Sequence, residues 1–75
     1  MQTNTTLAEI EITVNGDARR VAEGATVAEL LAALGLDRRK VAVERNREIV
    51  PRSGYEMTRL AGQDQLEIVH FIGGG

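Results

Sequence analysis

The stretch LEIVHFIGGG, from Leu66 to Gly75, contains the feature that decides the fold: an apolar segment that runs straight into three glycines. Residues Leu66–Ile72 form the most apolar segment of the chain and are predicted to be its last β-strand. Glycine costs more entropy to order than any other residue and contributes no packing. The sequence therefore predicts a core strand that ends in a flexible tail over residues 73–75.

The beginning of the chain predicts a β-hairpin. Residues 1–7 are polar and threonine-rich, and we expect them to be disordered. From Ile10 to Val14, apolar side chains alternate with polar ones, which is the period of a strand with one buried face. Asn15-Gly16 follows, and both residues tolerate the positive φ of a tight turn. A second strand, about Ala18–Ala22, is therefore expected to pair antiparallel with the first.

One main helix is predicted over about residues 26–35. Thr26 and Glu29 have the spacing of a capping box, in which each side chain accepts from a backbone N–H of the first turn. The apolar residues that follow recur at helical spacing, and we interpret this stripe as core packing. Gly35 stands where a left-handed residue ends a helix, and Leu36 is expected to fold back onto the last turn.

The second half of the chain predicts two short strands and a crossover before the last strand. Val41–Val43 and Glu48–Val50 are typical of short strands joined by a turn at Asn46-Arg47, and Pro51 ends the second of them because it cannot donate to a ladder. Residues 52–65 are mixed and polar, which suits an irregular crossover with one turn of helix.

The order strand, strand, helix, strand, strand, crossover, strand indicates one α+β domain over residues 1–75. A ferredoxin-like RNA-recognition fold needs a second full helix and aromatic residues on its central strands, whereas the only aromatic residues are Tyr55 and Phe71. A ubiquitin-like β-grasp fits better: a mixed sheet of four to five strands packs on the one helix, with its first and last strands as central neighbours.

Composition argues against a self-contained enzyme. The chain has no cysteine and one histidine, which excludes a thiol nucleophile, a disulfide framework and a multi-histidine metal site. In 75 residues there is little room for a deep substrate pocket. His70 has no nucleophile near it in the predicted strand, and we assign it no acid–base role. We expect no catalytic residue and no metal site, and any catalysis to be performed by a partner enzyme.

Charge and hydropathy indicate a cytoplasmic protein without a nucleic-acid or membrane partner. The net charge is −2, and acidic and basic residues are interspersed. The densest basic cluster, Arg38–Lys40, is interpreted as a solvated loop after the helix. The longest apolar run, Leu30–Leu34, is too short to cross a bilayer, and the first ten residues have no apolar core of signal-peptide length.

The glycine tail suggests a chemistry that needs no side chain. A tail without Cβ atoms can thread a narrow channel and deliver the Gly75 carboxylate to a partner's active site. That carboxylate has a pKa of about 3.3–3.7, so at neutral pH it is an anion and a poor electrophile. Adenylation with ATP would give it a good leaving group, and a sulfur nucleophile could then form a thiocarboxylate.

Four stretches carry a family resemblance, and they occur in order along the chain: NG at residues 15–16, GATVAELLAALGL at 24–36, VAVERNREIVPRS at 41–53 and LEIVHFIGGG at 66–75. The sequence resembles the ThiS family, the sulfur carriers of thiamine thiazole biosynthesis within the ubiquitin-like β-grasp superfamily. Where that family usually has a GD pair before the last strand, this chain has Gln63-Asp64, which changes the loop and leaves the tail chemistry untouched.

The resemblance implies a mechanism on named residues. Gly75 would be adenylated and carry the thiocarboxylate, and Gly73 and Gly74 would form the threading tail. A ThiF-type adenylating enzyme would consume the ATP, a cysteine desulfurase would supply the sulfur, and the thiazole synthase ThiG would accept it. The chain would be a protein cosubstrate without a cofactor of its own.

Alternation along the last strand predicts a surface for these partners. If Leu66 and Ile68 face the helix, Val69 and Phe71 share the outer face and expose an apolar patch that leads through Ile72 into the tail. We therefore predict that residues 69, 71 and 72 bind the partner enzymes. The alternative for Phe71 is that its ring covers an edge of the core.

Two other functions remain open at this point. The small subunit of molybdopterin synthase performs the same chemistry on the same fold, but its last strand usually leads into the glycines through a proline-containing stretch, which here is His70-Phe71-Ile72. The third possibility is a ubiquitin-like modifier or interaction domain. Lys40 is the only lysine, so chains built through several lysines are impossible, whereas conjugation to other proteins remains open.

Overall fold

The fold is one mixed sheet with one helix, seen in a computed structural model that describes residues 8–71. Its elements are β1 (Glu9–Val14), β2 (Asp17–Ala22), α1 (Val27–Ala33), β3 (Val41–Arg45), β4 (Glu48–Val50) and β5 (Gln65–His70), with turns of 3-10 helix at Arg38–Lys40 and Arg52–Gly54. The predicted disordered N-terminus (1–7) and glycine tail (73–75) lie outside the described residues.

The strands are arranged in the order β2-β1-β5-β3-β4. The β1–β5 pair is parallel, and the other three pairs are antiparallel. The predicted β-grasp, with its first and last strands as central neighbours, is confirmed. Within residues 8–71, no helix is long and apolar enough to span a bilayer.

The helix begins and ends as its sequence predicts. Thr26 accepts from the Glu29 backbone N–H at 3.2 Å, and the Glu29 carboxylate accepts from the Thr26 N–H at 2.9 Å. At the other end, Gly35 adopts φ +74°, and its N–H and that of Leu36 donate back to carbonyls of the last turn. The helix proper spans Val27–Ala33, so the predicted range of 26–35 includes both caps.

The core lies between the helix and one face of the sheet. Its side chains come from the helix stripe, from alternate positions of the strands and from the crossover before β5, where the Tyr55 hydroxyl donates to the Val41 carbonyl at 3.4 Å. The buried apolar residues are Ile12, Val27, Leu30, Leu31, Val41, Val43, Val50, Tyr55, Leu60, Leu66 and Ile68.

Asn15 fastens β5 to the first hairpin. Only two residue pairs join β1 to β5, because β1 ends at Val14 where β5 has barely begun. Beyond that point the Asn15 side chain replaces the missing strand: its Nδ2 donates to the Ile68 carbonyl at 3.2 Å, and its Oδ1 accepts from the Ile68 N–H at 2.8 Å. The turn holds Asn15 at φ +51°, where asparagine is tolerated.

The second hairpin fastens the start of β5 in a similar way. The Asn46 N–H donates to the Gln65 carbonyl at 2.8 Å, and its Oδ1 accepts from the Gln65 N–H at 2.9 Å. The Asn46 Nδ2 also donates to Asp64 at 3.0 Å. An asparagine at a hairpin turn therefore flanks β5 on each side.

The turn before β5 contains Gln63-Asp64, where the sequence departs from the pattern that it resembles. Gln63 adopts φ +71°, a conformation that costs a residue with a Cβ roughly 1–2 kcal/mol. Asp64 is buried, accepts from the Ala61 N–H at 2.8 Å and lies 3.5 Å from the Arg45 guanidinium. The turn thus places a residue with left-handed backbone directly before the aspartate. Glycine adopts this conformation without strain, whereas glutamine adopts it here at a cost.

The last strand ends earlier than predicted. The sequence pattern predicts a strand over Leu66–Ile72, whereas β5 spans Gln65–His70. The reason is its partner: His70 pairs with Val41, the first residue of β3, and the residue before it belongs to a 3-10 turn that cannot continue the ladder. One further bond forms, from the Phe71 N–H to the Lys40 carbonyl at 2.8 Å.

Asp37 organises the 3-10 turn that meets the end of β5. Its carboxylate accepts from the Arg39 backbone N–H at 2.9 Å and from the Arg39 guanidinium at 3.1 and 3.2 Å. These hydrogen bonds, those of the side chain first, lower the pKa of Asp37 from 3.8 to about 2. The turn is therefore best held when this carboxylate is ionised.

We predict that Asn15→Gly destabilises the fold by about 1–3 kcal/mol, since it removes both side-chain hydrogen bonds to Ile68 while keeping a residue that accepts positive φ. Chemical denaturation measures the change. Arg47→Gly is the matched control: Arg47 also lies in a two-residue turn at φ +71°, and its side chain makes no hydrogen bond within residues 8–71. Equal stability of Asn15→Gly and wild type would contradict the role of Asn15.

We also predict a pH dependence that Asp37→Asn reduces. Because the folded pKa of Asp37 lies below its unfolded value, its contribution is present above about pH 4 and is lost as the pH falls toward about 2. Asparagine keeps the capping oxygen and removes the titration. As the pH is lowered through this range, the midpoint temperature of thermal unfolding should thus fall less for Asp37→Asn than for wild type. Parallel pH profiles for the two proteins would contradict this assignment.

Candidate functional site

The candidate site is the end of the sheet from which the tail departs. Phe71 is the last described residue, and its N–H bond to Lys40 anchors the start of the tail to the ladder. Ile72, Gly73, Gly74 and Gly75 lie outside the described residues, so the roles predicted for them stay predictions. The described part of the chain supplies the position and the surroundings of the tail.

The two faces of β5 differ as the alternation predicts. Leu66 and Ile68 are 1% and 9% exposed on the helix side, whereas Val69 and Phe71 are 59% and 49% exposed. Glu67 is exposed as well. Phe71 thus has about half of its surface in solvent and half against the protein. Binding of partners by these side chains remains a prediction.

Ile49 belongs to the same exposed surface, and sequence reasoning missed it. Val50 beside it is 8% exposed, so alternation in β4 places the Ile49 side chain on the outer face, where it is 67% exposed. Ile49 and Val69 line one groove. Assigning faces in this three-residue strand would have found it. We call Ile49, Val69 and Phe71 the outer patch.

The groove on the outer face has a volume of about 430 Å³ and mixed chemistry. Glu44 and Glu67 lie opposite each other in the β3–β5 register, and Arg47 lines the same groove. Two like charges directly opposite each other on neighbouring strands repel and destabilise the sheet locally. The groove thus offers apolar surface beside two carboxylates, which suits a protein surface better than a small apolar ligand.

A second groove, of about 380 Å³, lies on the helix side of β5. His70 lines it together with Asn15, Leu34 and Leu36. No serine or threonine lines this groove, so the described residues give His70 no nucleophile to activate. Among residues 8–71, no three histidine, aspartate or glutamate side chains are grouped so that they could hold a metal ion.

The number of residues after Phe71 limits how far the end of the chain can reach. The four residues after Phe71 span at most about 14 Å when fully extended, at about 3.5 Å per residue. A partner that docks on the outer patch and acts on Gly75 must therefore have its reactive centre within that distance of the end of the sheet.

Several known proteins resemble this chain over most of its length. Two thiazole synthases, from Paramagnetospirillum magneticum and Magnetococcus marinus, are 52% and 46% identical to it over 66 residues, which cover 88% of this chain and 20% of each relative. The chain thus spans about a fifth of the length of these two curated relatives. The sulfur carrier protein ThiS of Bacillus subtilis is 46% identical over 50 residues, which cover 67% of this chain and 76% of that protein.

The fold has a solved counterpart as well. The crystal structure of a thiamine biosynthesis protein, ThiS, from Geobacter metallireducens superposes with a TM-score of 0.75 at 38% identity, over 88% of this chain and all of that one. The family model described as ThiS family matches residues 4–75, which include the three glycines. With the fold, the sequence stretches and this match in agreement, the chain belongs to the ThiS family.

Proposed function

We propose that this chain is a sulfur carrier protein of thiamine thiazole biosynthesis, and that it acts as a cosubstrate of partner enzymes. The observation that carries the proposal is the ThiS family match, which extends through the glycines to residue 75. The name of the Bacillus subtilis relative, sulfur carrier protein ThiS, supports it. The proposal requires Gly75 to bear a free carboxylate.

The chemistry takes place at the Gly75 carboxylate in three steps. A ThiF-type enzyme transfers AMP from ATP to a carboxylate oxygen and releases pyrophosphate. A sulfur nucleophile then attacks the carbonyl carbon, and AMP leaves with the carboxylate oxygen. A cysteine desulfurase supplies this nucleophile as a persulfide, whose outer sulfur bonds to the carbonyl carbon and gives an acyl disulfide. A thiol of the partner then cleaves the S–S bond, is oxidised to a disulfide with the departing sulfur, and releases the thiocarboxylate. ATP is a substrate of the partner, so this chain needs no cofactor of its own.

In this proposal the described residues determine where the tail starts and where a partner docks. The hydrogen bond from Phe71 to Lys40 fixes where the tail begins, and the side chains of Asn15 and Asn46 hydrogen-bond to the backbone of β5. The outer patch offers apolar area for docking, and such area at the centre of an interface provides most of the binding energy. A docked domain thus directs Gly73, Gly74 and Gly75 into the partner's channel.

The acceptor in this proposal is thiazole synthase. Two relatives that bear that name contain a segment similar to this chain within a protein five times as long. The presence of that segment within proteins named thiazole synthase supports a partnership between this chain and a thiazole synthase. Because the adenylation step consumes ATP, we expect the protein to act in the cytoplasm, where ATP is supplied.

We predict that sulfur transfer depends on the length of the tail. Removing Gly75 leaves a glycine carboxylate at the end but withdraws it by about 3.5 Å, and one added glycine moves it the same distance outward. Either change should displace the carboxylate from the reacting phosphate and abolish thiocarboxylate formation, because catalysis requires contact within about 3–3.5 Å. Mass spectrometry of the reacted chain measures the outcome.

Two controls accompany this experiment. The unfolding midpoint of both variants should equal that of wild type, because the changes lie beyond the anchored Phe71. The mass of each recovered variant shows whether a protease has restored the original end. Normal thiocarboxylate formation on an extended chain of verified mass would overturn the terminal-carboxylate mechanism.

A further inference from the structure

Four basic residues lie in two connected 3-10 turns, one of which bonds to the end of the sheet through Lys40 and Phe71. Three of them occupy the 3-10 turn between α1 and β3, and the fourth is Arg52 in the next 3-10 turn. We call Arg38, Arg39, Lys40 and Arg52 the basic collar. From the sequence alone the first three are a solvated loop, and the proposed chemistry does not use their charges.

The collar is held in place by specific contacts. Arg39 pairs with Asp37 at 3.1 Å, and Arg38 pairs with Glu56 at 2.9 Å while its guanidinium lies 5.8 Å from the centre of the Tyr55 ring. Arg52 donates to the Arg39 carbonyl at 3.3 Å, which connects the two turns. Three of the four side chains thus have specific contacts, and the backbone of the fourth, Lys40, is bonded to Phe71.

The positive charge of the collar is only partly neutralised. Asp37 and Glu56 pair with two of its members, whereas Lys40 and Arg52 have no carboxylate at ion-pair distance within residues 8–71. Outside these six residues the chain has five basic and nine acidic residues, so the remainder carries a charge of −4 against +2 for this group. An acidic protein thus concentrates positive charge in the two turns connected to Phe71.

The collar is continuous with the outer patch. The carbonyl of Lys40 accepts from the N–H of Phe71, so the exposed lysine lies beside the exposed phenylalanine at the edge of the patch. Protein interfaces commonly have an apolar centre and a polar rim. Charges at the rim act mainly on the rate of association and on the choice of partner.

We propose that the basic collar is the charged rim of the docking surface and binds carboxylate side chains that surround the channel entrance of the adenylating enzyme. This inference rests on the proposed function and adds the chemistry of the partner's surface. The field of the collar attracts an acidic entrance and orients the chain with its tail toward it, before the outer patch makes contact. Glu44 and Glu67 in the outer groove repel an acidic surface, so the carboxylates of the partner meet the collar and not the groove.

The test compares two charge reversals that change the net charge equally. Lys40→Glu acts in the collar, where the lysine side chain has no hydrogen bond within residues 8–71, and Arg20→Glu acts on the edge strand β2, where the side chain is mostly exposed. Stopped-flow mixing with the ThiF-type enzyme of the same organism measures the association rate constant. Val69→Asp in the outer patch serves as a third variant.

At low ionic strength we expect Lys40→Glu to slow association about fivefold and Arg20→Glu to change it by less than about twofold, because steering depends on where the charge lies. The difference between the two rates should largely disappear near 1 M salt, because the charges are then screened. The Debye length is about 10 Å at 0.1 M salt and about 3 Å at 1 M. If Lys40→Glu associates faster than wild type, or if the two variants associate at equal rates, the proposed role of the basic collar is wrong.

The variants also separate this inference from the function on which it rests. If Val69→Asp weakens binding while Lys40→Glu associates like wild type, the collar is wrong and the docking patch stands. If the wild-type chain does not bind the adenylating enzyme at all, both the collar and the proposed function are wrong. Binding of Lys40→Glu that is weaker at every salt concentration to the same extent would also count against steering.

Discussion

The hydrogen bonds between the Asn15 side chain and the backbone of Ile68 are the interaction on which this arrangement depends. The two central strands are parallel and overlap by only two residue pairs, so most of β5 has no neighbouring strand on the side of β1. One amide group supplies both a donor and an acceptor there. The strand that leads to the tail is thus fixed although its ladder on that side is short.

Local sequence signals predict the elements of this fold because each signal acts over a few residues. The capping box at Thr26 and Glu29, the left-handed Gly35 and the alternation in β5 all appear as predicted. What the sequence does not reveal depends on residues far apart in the chain. Asn15 and Ile68 are 53 positions apart, and the early end of β5 follows from where its partner β3 begins.

The same distinction applies to the candidate site. Alternation predicts the exposure of Val69 and Phe71 because it is a property of their own strand. Ile49 joins them only because the register places β4 in the same sheet. The basic turn lies beside Phe71 because the Phe71 N–H bonds to the Lys40 carbonyl. The surface around the tail is therefore a product of topology, whereas the tail itself is evident in the sequence.

The proposal that this domain positions the Gly75 carboxylate for partner enzymes is tested most directly by the intact mass of the chain. The purified protein would be incubated with ATP, cysteine and an extract of its own cells. We expect a gain equal to the exchange of one oxygen for one sulfur, located at Gly75. An unchanged mass, with the loading enzymes active on another carrier in the same extract, would contradict it.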